Sequence, residues 1–140
     1  MATPRQEITL TRTILVPPPQ VYAAFATAEG WCAWCCETAE VDARVGGEYC
    51  IYTQGYNAHG KFTHLEPERA LAFTWDGDQE PPTEVRVELA GQDGGTRLAF
   101  TVTVLDSLDA WPGFLDFLGR TWGRVLDNLR AVLEEGERAR

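Results

Sequence analysis

The sequence predicts an α+β fold in which a curved antiparallel sheet packs against a long C-terminal helix. Short segments rich in β-branched and aromatic residues follow one another, and glycine turns such as Gly46 and Gly47 separate them, which favours a sheet of hairpins. Near the C terminus, leucines and a tryptophan recur at spacings of three and four, which predicts the helix. At 140 residues, 44% of them hydrophobic, the chain has the size and composition of a single domain, which we place at residues 1–140.

The first forty residues predict one strand and two short helical segments. Glu7–Val16, EITLTRTILV, alternates in character and predicts a strand, which Pro17–Pro19 end because proline gives a sheet no hydrogen-bond donor. The next segment, QVYAAFATAEG, predicts a short helix that stops in a left-handed cap at Gly30. WCAWCCETA predicts a second helical turn, followed by extended chain at Glu40–Arg44.

The middle of the chain predicts successive strands joined by the turn segments QGYNAHG, DGDQEPP and DGG. The predicted strands are Glu48–Thr53, Lys61–Glu66, Leu71–Trp75, Thr83–Leu89 and Thr96–Leu105. In the last two, apolar residues alternate with polar ones, so one face of the sheet is expected to be dry. A helix at about Pro112–Glu135 carries an apolar stripe that buries itself on that face.

The net charge of −9, from 21 acidic and 12 basic side chains, argues against nucleic acid and anionic membranes as partners. The sequence has no phosphate-binding loop, dinucleotide fingerprint or GxSxG motif, and we expect no cofactor. It also has no apolar run long enough to span a membrane and no secretory signal at its start, so we expect a cytoplasmic location.

The segment GWCAWCC concentrates cysteine and tryptophan at Gly30–Cys36. Cys32 and Cys35 form a CxxC pair that Cys36 and Cys50 could extend into a zinc site, or that could act in thiol redox chemistry. The spacing lacks the second CxxC knuckle of a structural zinc site, and no βαβ pattern accompanies the pair. The interpretation we favour is that the cysteines are small buried hydrophobic residues and that the tryptophans form one wall of a cavity.

The two histidines have different sequence settings. His59 falls in a predicted hairpin tip, where it is expected to be solvated. His64 lies in a predicted strand between apolar residues, so it is either a polar anchor facing a cavity, a general acid or base, or an ordinary hydrogen-bonded histidine near a strand end.

Five segments in order resemble one protein superfamily: TRTILVPPPQVYAAFATAEGWCAW, DARVGGEY, HGKFTHLEPERALAFTW, GGTRLAFT and TWGRVLDNLRAVLE. Together they resemble the helix-grip fold of the START-like, or SRPBCC, superfamily. They are most similar to its branch named for the activator of the ninety-kilodalton heat-shock protein's ATPase, a stress-response protein. The cysteines of CAWCC depart from that branch, which has none fixed there.

The resemblance implies an internal hydrophobic cavity between the sheet and the long helix, and therefore a protein that binds a small apolar ligand. The residues expected to line the cavity are Trp31, Trp34, Tyr52, Phe62, His64, Phe73, Trp75, Phe100, Phe117 and Trp122. Two alternatives stay open: a co-chaperone-like domain acting on a heat-shock ATPase, and a cyclase or hydratase with His64 as its catalytic candidate. The sequence leaves a homodimer and a chaperone partner open as well.

Overall fold

The computed structural model describes residues 6–109 and 111–138. The described residues form seven strands and three helices: β1 (Gln6–Ile14), α1 (Pro18–Ala26), α2 (Ala28–Trp34), β2 (Thr38–Val41), β3 (Glu48–Thr53), β4 (Tyr56–Glu66), β5 (Ala70–Gly77), β6 (Thr83–Gln92), β7 (Gly95–Val104) and α3 (Phe114–Arg138). None of the helices in these two ranges combines the length and hydrophobicity needed to cross a bilayer.

The strands form one antiparallel sheet in the described residues, in the order β1-β7-β6-β5-β4-β3-β2. Helix α3 lies across the sheet and is fastened to the edge strand β1 by Arg12. The Arg12 Nε atom donates to Asp127 Oδ1 at 2.7 Å, and its Nη2 atom donates to the carbonyl of Gly123 at 3.1 Å. The predicted α+β helix-grip architecture is therefore confirmed.

The alternation in β6 and β7 matches the observed burial. Val85, Val87, Phe100 and Val102 are fully buried, whereas intervening residues such as Arg86 are exposed. The buried residues on the facing stripe of α3 are Phe114, Leu118, Trp122, Leu126 and Leu129. Burying each large side chain of this kind contributes about 1.5–3 kcal/mol, so the stripe holds α3 on the sheet.

The structure differs from the prediction at Gly30, which lies inside α2 and is not a helix cap. The break between the helices is Thr27, whose φ of −131° and ψ of 153° are extended, and whose hydroxyl accepts the Gly30 N–H at 2.9 Å. A Cβ atom at Gly30 would lie 2.2 Å from the carbonyl oxygen of Ala23 and 2.7 Å from the Cα of Ala24. Glycine is therefore required here for the close approach of α1 and α2, and not for a positive φ.

Strand β4 differs from the prediction in its start and in its regularity. It begins at Tyr56, so most of the predicted QGYNAHG turn is strand. Its pairing with β5 slips between Phe62, which faces Phe73, and His64, which faces Ala72. Two residues of β4 thus oppose one of β5, and this β-bulge reverses the face on which the following side chains lie.

Candidate functional site

Aromatic rings fill the middle of the interior between the sheet and α2. Trp31 of α2 lies parallel to Tyr49 of β3, with 6.3 Å between ring centroids, and stacks on Trp34 at 5.0 Å. Phe73 of β5 meets Trp31 in an edge-to-face contact at 5.7 Å. The predicted site residues in this buried cluster are Trp31, Trp34, Phe62, Phe73 and Phe100. Their neighbours are mostly other rings, so the cluster acts as a hydrophobic core.

The two tryptophans of α2 are held by the end of α1. The indole N–H of Trp31 donates to the carbonyl of Phe25 at 2.8 Å, and that of Trp34 donates to the carbonyl of Ala24 at 3.0 Å. Both bonds are buried, and they satisfy indole donors that would otherwise cost free energy in an apolar interior. The carbonyl groups at the end of α1 therefore fix the orientation of both rings.

A pocket of about 210 Å³ remains beside the β5–β6 loop and the N-terminal half of α3. Its lining residues are Cys35, Tyr56, Trp75, Glu80, Phe117, Leu118, Thr121, Trp122 and Val125. Trp75 and Trp122 meet here edge to face, with 4.9 Å between centroids. Of the residues predicted to bind a ligand, Trp75, Phe117 and Trp122 line this pocket.

One edge of the pocket is polar. The indole N–H of Trp75 donates to the Tyr56 hydroxyl oxygen at 3.0 Å, and that hydroxyl donates to Glu80 Oε1 at 2.7 Å. Burial raises the pKa of Glu80, and the bond from Tyr56 opposes that rise. Burial, followed by the bond to Glu80, raises the pKa of Tyr56 as well. The phenol is therefore a neutral donor at physiological pH, aimed at the carboxyl group.

Gly77 makes this polar edge possible. A Cβ atom at this position would lie 2.1 Å from both Glu80 Oε1 and the Tyr56 hydroxyl oxygen. Any larger residue would have to push the two groups apart. The absence of a side chain at Gly77 thus leaves the space in which Tyr56 and Glu80 meet.

Two predicted site residues lie on the outer face of the sheet, so their expected position in the interior is wrong. Tyr52 is 41% exposed, because Tyr49 and Ile51 occupy the inward positions of β3. His64 is turned outward by the bulge in β4 and lies 3.2 Å from Glu66 Oε2, with both side chains about half exposed. His64 therefore does not reach the pocket, where it was considered as a general acid or base. His59, expected in a hairpin tip, is an exposed residue of β4.

The cysteines do not share one environment. Cys32 is exposed, and its sulfur lies 3.7 Å from that of Cys36, whereas Cys35 contributes to the pocket wall. Burial raises the pKa of Cys35 to about 12. All four thiols are free, and the described part of the chain contains no group of three or more His, Cys, Asp and Glu side chains that could hold a metal ion. The expectation of four buried hydrophobic thiols is therefore wrong for Cys32.

The sequence interpretation missed the polar edge because Tyr56 and Glu80 both fall in segments assigned to turns. A signal for Tyr56 was present: Ala58, Gly60 and Phe62 alternate in step with it and continue the inward face of β4. Glu80 lies in the loop between β5 and β6, where no periodicity reports which way a side chain points. Its position depends on the tertiary fold.

Comparison with known proteins gives the chain its family. The family model described as "Activator of Hsp90 ATPase homolog 1-like protein" matches residues 15–134. The activator of 90 kDa heat shock protein ATPase homolog 1 of Mus musculus is 35% identical over 72 residues, which make up 51% of this chain and 21% of the mouse protein. The match thus spans about a fifth of that relative's length.

Solved structures share the fold. CalU16 from Micromonospora echinospora has a TM-score of 0.75 at 24% identity, with 96% of this chain and 80% of that chain covered. The Aha1 dimer from Colwellia psychrerythraea has a TM-score of 0.78 at 22% identity, with 92% of this chain and 96% of that chain covered. Since the family model covers most of its length, this chain belongs to the Activator of Hsp90 ATPase homolog 1-like family of the START-like superfamily.

Proposed function

We propose that the protein binds a small apolar molecule in the pocket between α3 and the β5–β6 loop. The observation that carries the proposal is the pocket itself, which has a volume of about 210 Å³ and a wall that is almost entirely apolar. An engineered apolar cavity of about 150 Å³ in another protein binds benzene, whereas drug-sized ligands occupy about 300–1,000 Å³. The proposed ligand is therefore the size of one substituted ring.

Two matched substitutions on α3 test this proposal. Val125 lines the pocket, whereas Val132, two turns later, packs against the core outside it, and both are half-buried. Val125→Phe adds ring volume where the ligand would lie. Val132→Phe makes the same change of side chain on α3 at a position outside the pocket.

Binding is measured by calorimetry and tryptophan quenching with a panel of single-ring aromatic compounds, and folding of each variant is checked by urea denaturation. We expect at least one compound to bind both the wild type and Val132→Phe, but not Val125→Phe. If no compound binds the wild type, or if both folded variants bind equally well, the pocket is not the binding site.

A second candidate function is a co-chaperone-like domain that acts on a heat-shock ATPase. The family match and the similarity to the mouse activator support it. Its test is the rate of ATP hydrolysis by purified Hsp90 with a saturating amount of this protein, compared with the same amount of albumin. A rate above the albumin control supports this function, and an unchanged rate rejects it.

Three further assignments accompany these functions as proposals. The chain would act as a single domain, which the continuous hydrophobic core of the described residues supports. It would work in the cytoplasm. A homodimer is suggested by the relative from Colwellia psychrerythraea, whose structure is that of a dimer, and sedimentation velocity would test it.

A further inference from the structure

The unusual group in the pocket is the carboxylate of Glu80. It is half-buried against an apolar wall, and its hydrogen-bond partner in the described residues is the neutral phenol of Tyr56. No Lys, Arg or His side chain of residues 6–109 and 111–136 lies within ion-pair distance of it. Partial burial of a carboxylate without a cationic partner is costly, and one neutral donor offsets only part of that cost.

The surroundings of Glu80 suit a positive charge. Trp75 and Trp122 form the adjacent wall, and the faces of indole rings attract cations. Tyr56 already accepts the Trp75 N–H and donates to Glu80, so its hydroxyl hydrogen is committed and points at the carboxylate. The net charge of −9 gives the protein a field that, on average, attracts cations.

We propose that the pocket selects a small hydrophobic amine, with its ammonium group on Glu80 and its apolar part against Trp75 and Trp122. This inference rests on the proposed function, since it names the chemical class of ligand for the same pocket. An ammonium group supplies the missing partner of the carboxylate, and the apolar wall accounts for the rest of the molecule. A neutral apolar ligand of the same shape would leave Glu80 buried deeper and still unpaired.

The test compares 2-phenylethylamine with its neutral counterpart 2-phenylethanol, using calorimetry at pH 7.5. In the wild type we expect the amine to bind at least about tenfold more tightly, which corresponds to about 1.4 kcal/mol. Glu80→Gln keeps an acceptor for Tyr56 but removes the charge, and it should abolish the preference. Glu68→Gln removes the same charge from an exposed turn residue and should leave the preference intact.

The affinity for the amine should also depend on pH. Protonation removes the charge of Glu80, so binding of the amine should weaken as the pH falls through the pKa of that carboxyl, whereas binding of the alcohol should not. If the alcohol binds as tightly as the amine, or if Glu80→Gln keeps the preference, the inference is overturned and the proposed function stands. If the amine fails while another apolar compound binds, the inference is overturned in the same way. If no apolar compound of any kind binds, both fail.

Discussion

Replacing Gly30 by alanine tests whether α1 and α2 must touch in order to place the tryptophans of α2 in the core. The added Cβ would lie 2.2 Å from the Ala23 carbonyl oxygen and 2.7 Å from the Ala24 Cα, and both are backbone atoms that cannot rotate away. Forced overpacking of this kind costs about 3 kcal/mol at the upper end of its usual range. Alanine returns up to about 1 kcal/mol as the better helix former. We therefore expect a net loss of about 2 kcal/mol in the free energy of unfolding.

The matched control is Gly119→Ala in α3. There the nearest atom to the added Cβ is Ile8 Cδ1 at 3.8 Å, which is an ordinary contact. The control should gain about 0.5–1 kcal/mol because it receives the helix preference without the clash. Both variants are measured by urea denaturation, followed by circular dichroism and by tryptophan fluorescence. If Gly30→Ala is as stable as the wild type, or gains as much as the control, the required close approach of α1 and α2 is refuted.

Three other predictions concern the pocket and its edge. Tyr56→Phe should lower the free energy of unfolding by about 1–3 kcal/mol, because it removes the acceptor of the Trp75 indole N–H and the donor to Glu80. An unchanged urea midpoint would show that these two hydrogen bonds do not stabilise the fold. Burial raises the pKa of Glu80 in the folded state, so its ionisation opposes folding, and the contribution of Glu80 to the free energy of unfolding should fall as the pH rises through that pKa. Glu80→Gln should therefore be more stable than the wild type at neutral pH, with the difference shrinking on acidification, and a difference that is constant with pH would exclude this account. Iodoacetamide at pH 7.5 should modify exposed Cys32 well before Cys35, whose pKa burial raises to about 12; equal rates by peptide mass spectrometry would show that Cys35 is not shielded.

The layers of the fold could be predicted because their pattern is local. In β6 and β7 every second residue is apolar, and in α3 an apolar residue returns about every turn. The pattern within each element therefore indicates which of its faces is buried. Two such faces have few ways to avoid water other than covering each other. The strand Glu48–Thr53 was also predicted with its observed bounds, but no polar residue marks a face within Tyr49–Tyr52, and Tyr52 was placed inward although it is exposed.

The errors occurred where a contact with a neighbouring helix or strand broke the local pattern. His64 follows the inward parity of Phe62 in the sequence, but the bulge against β5 turns it to the outer face. Gly30 is a residue type typical of a helix cap, yet here its lack of a side chain allows close contact with the carbonyl of Ala23. Neither feature has a signature in its own segment, because each depends on the backbone of a neighbouring element.

The sequence by itself determined the two layers, the apolar interior and the family, since periodicity and the order of motifs are properties of the chain alone. Only the tertiary structure decided how that interior is shared between a filled aromatic cluster and a pocket of about 210 Å³. It also decided that Glu80, from a loop with no pattern, meets Tyr56 at the edge of that pocket. The physical reason is that the preference of a residue for burial follows from its own side chain. The distance between two side chains depends instead on the packing of every element between them.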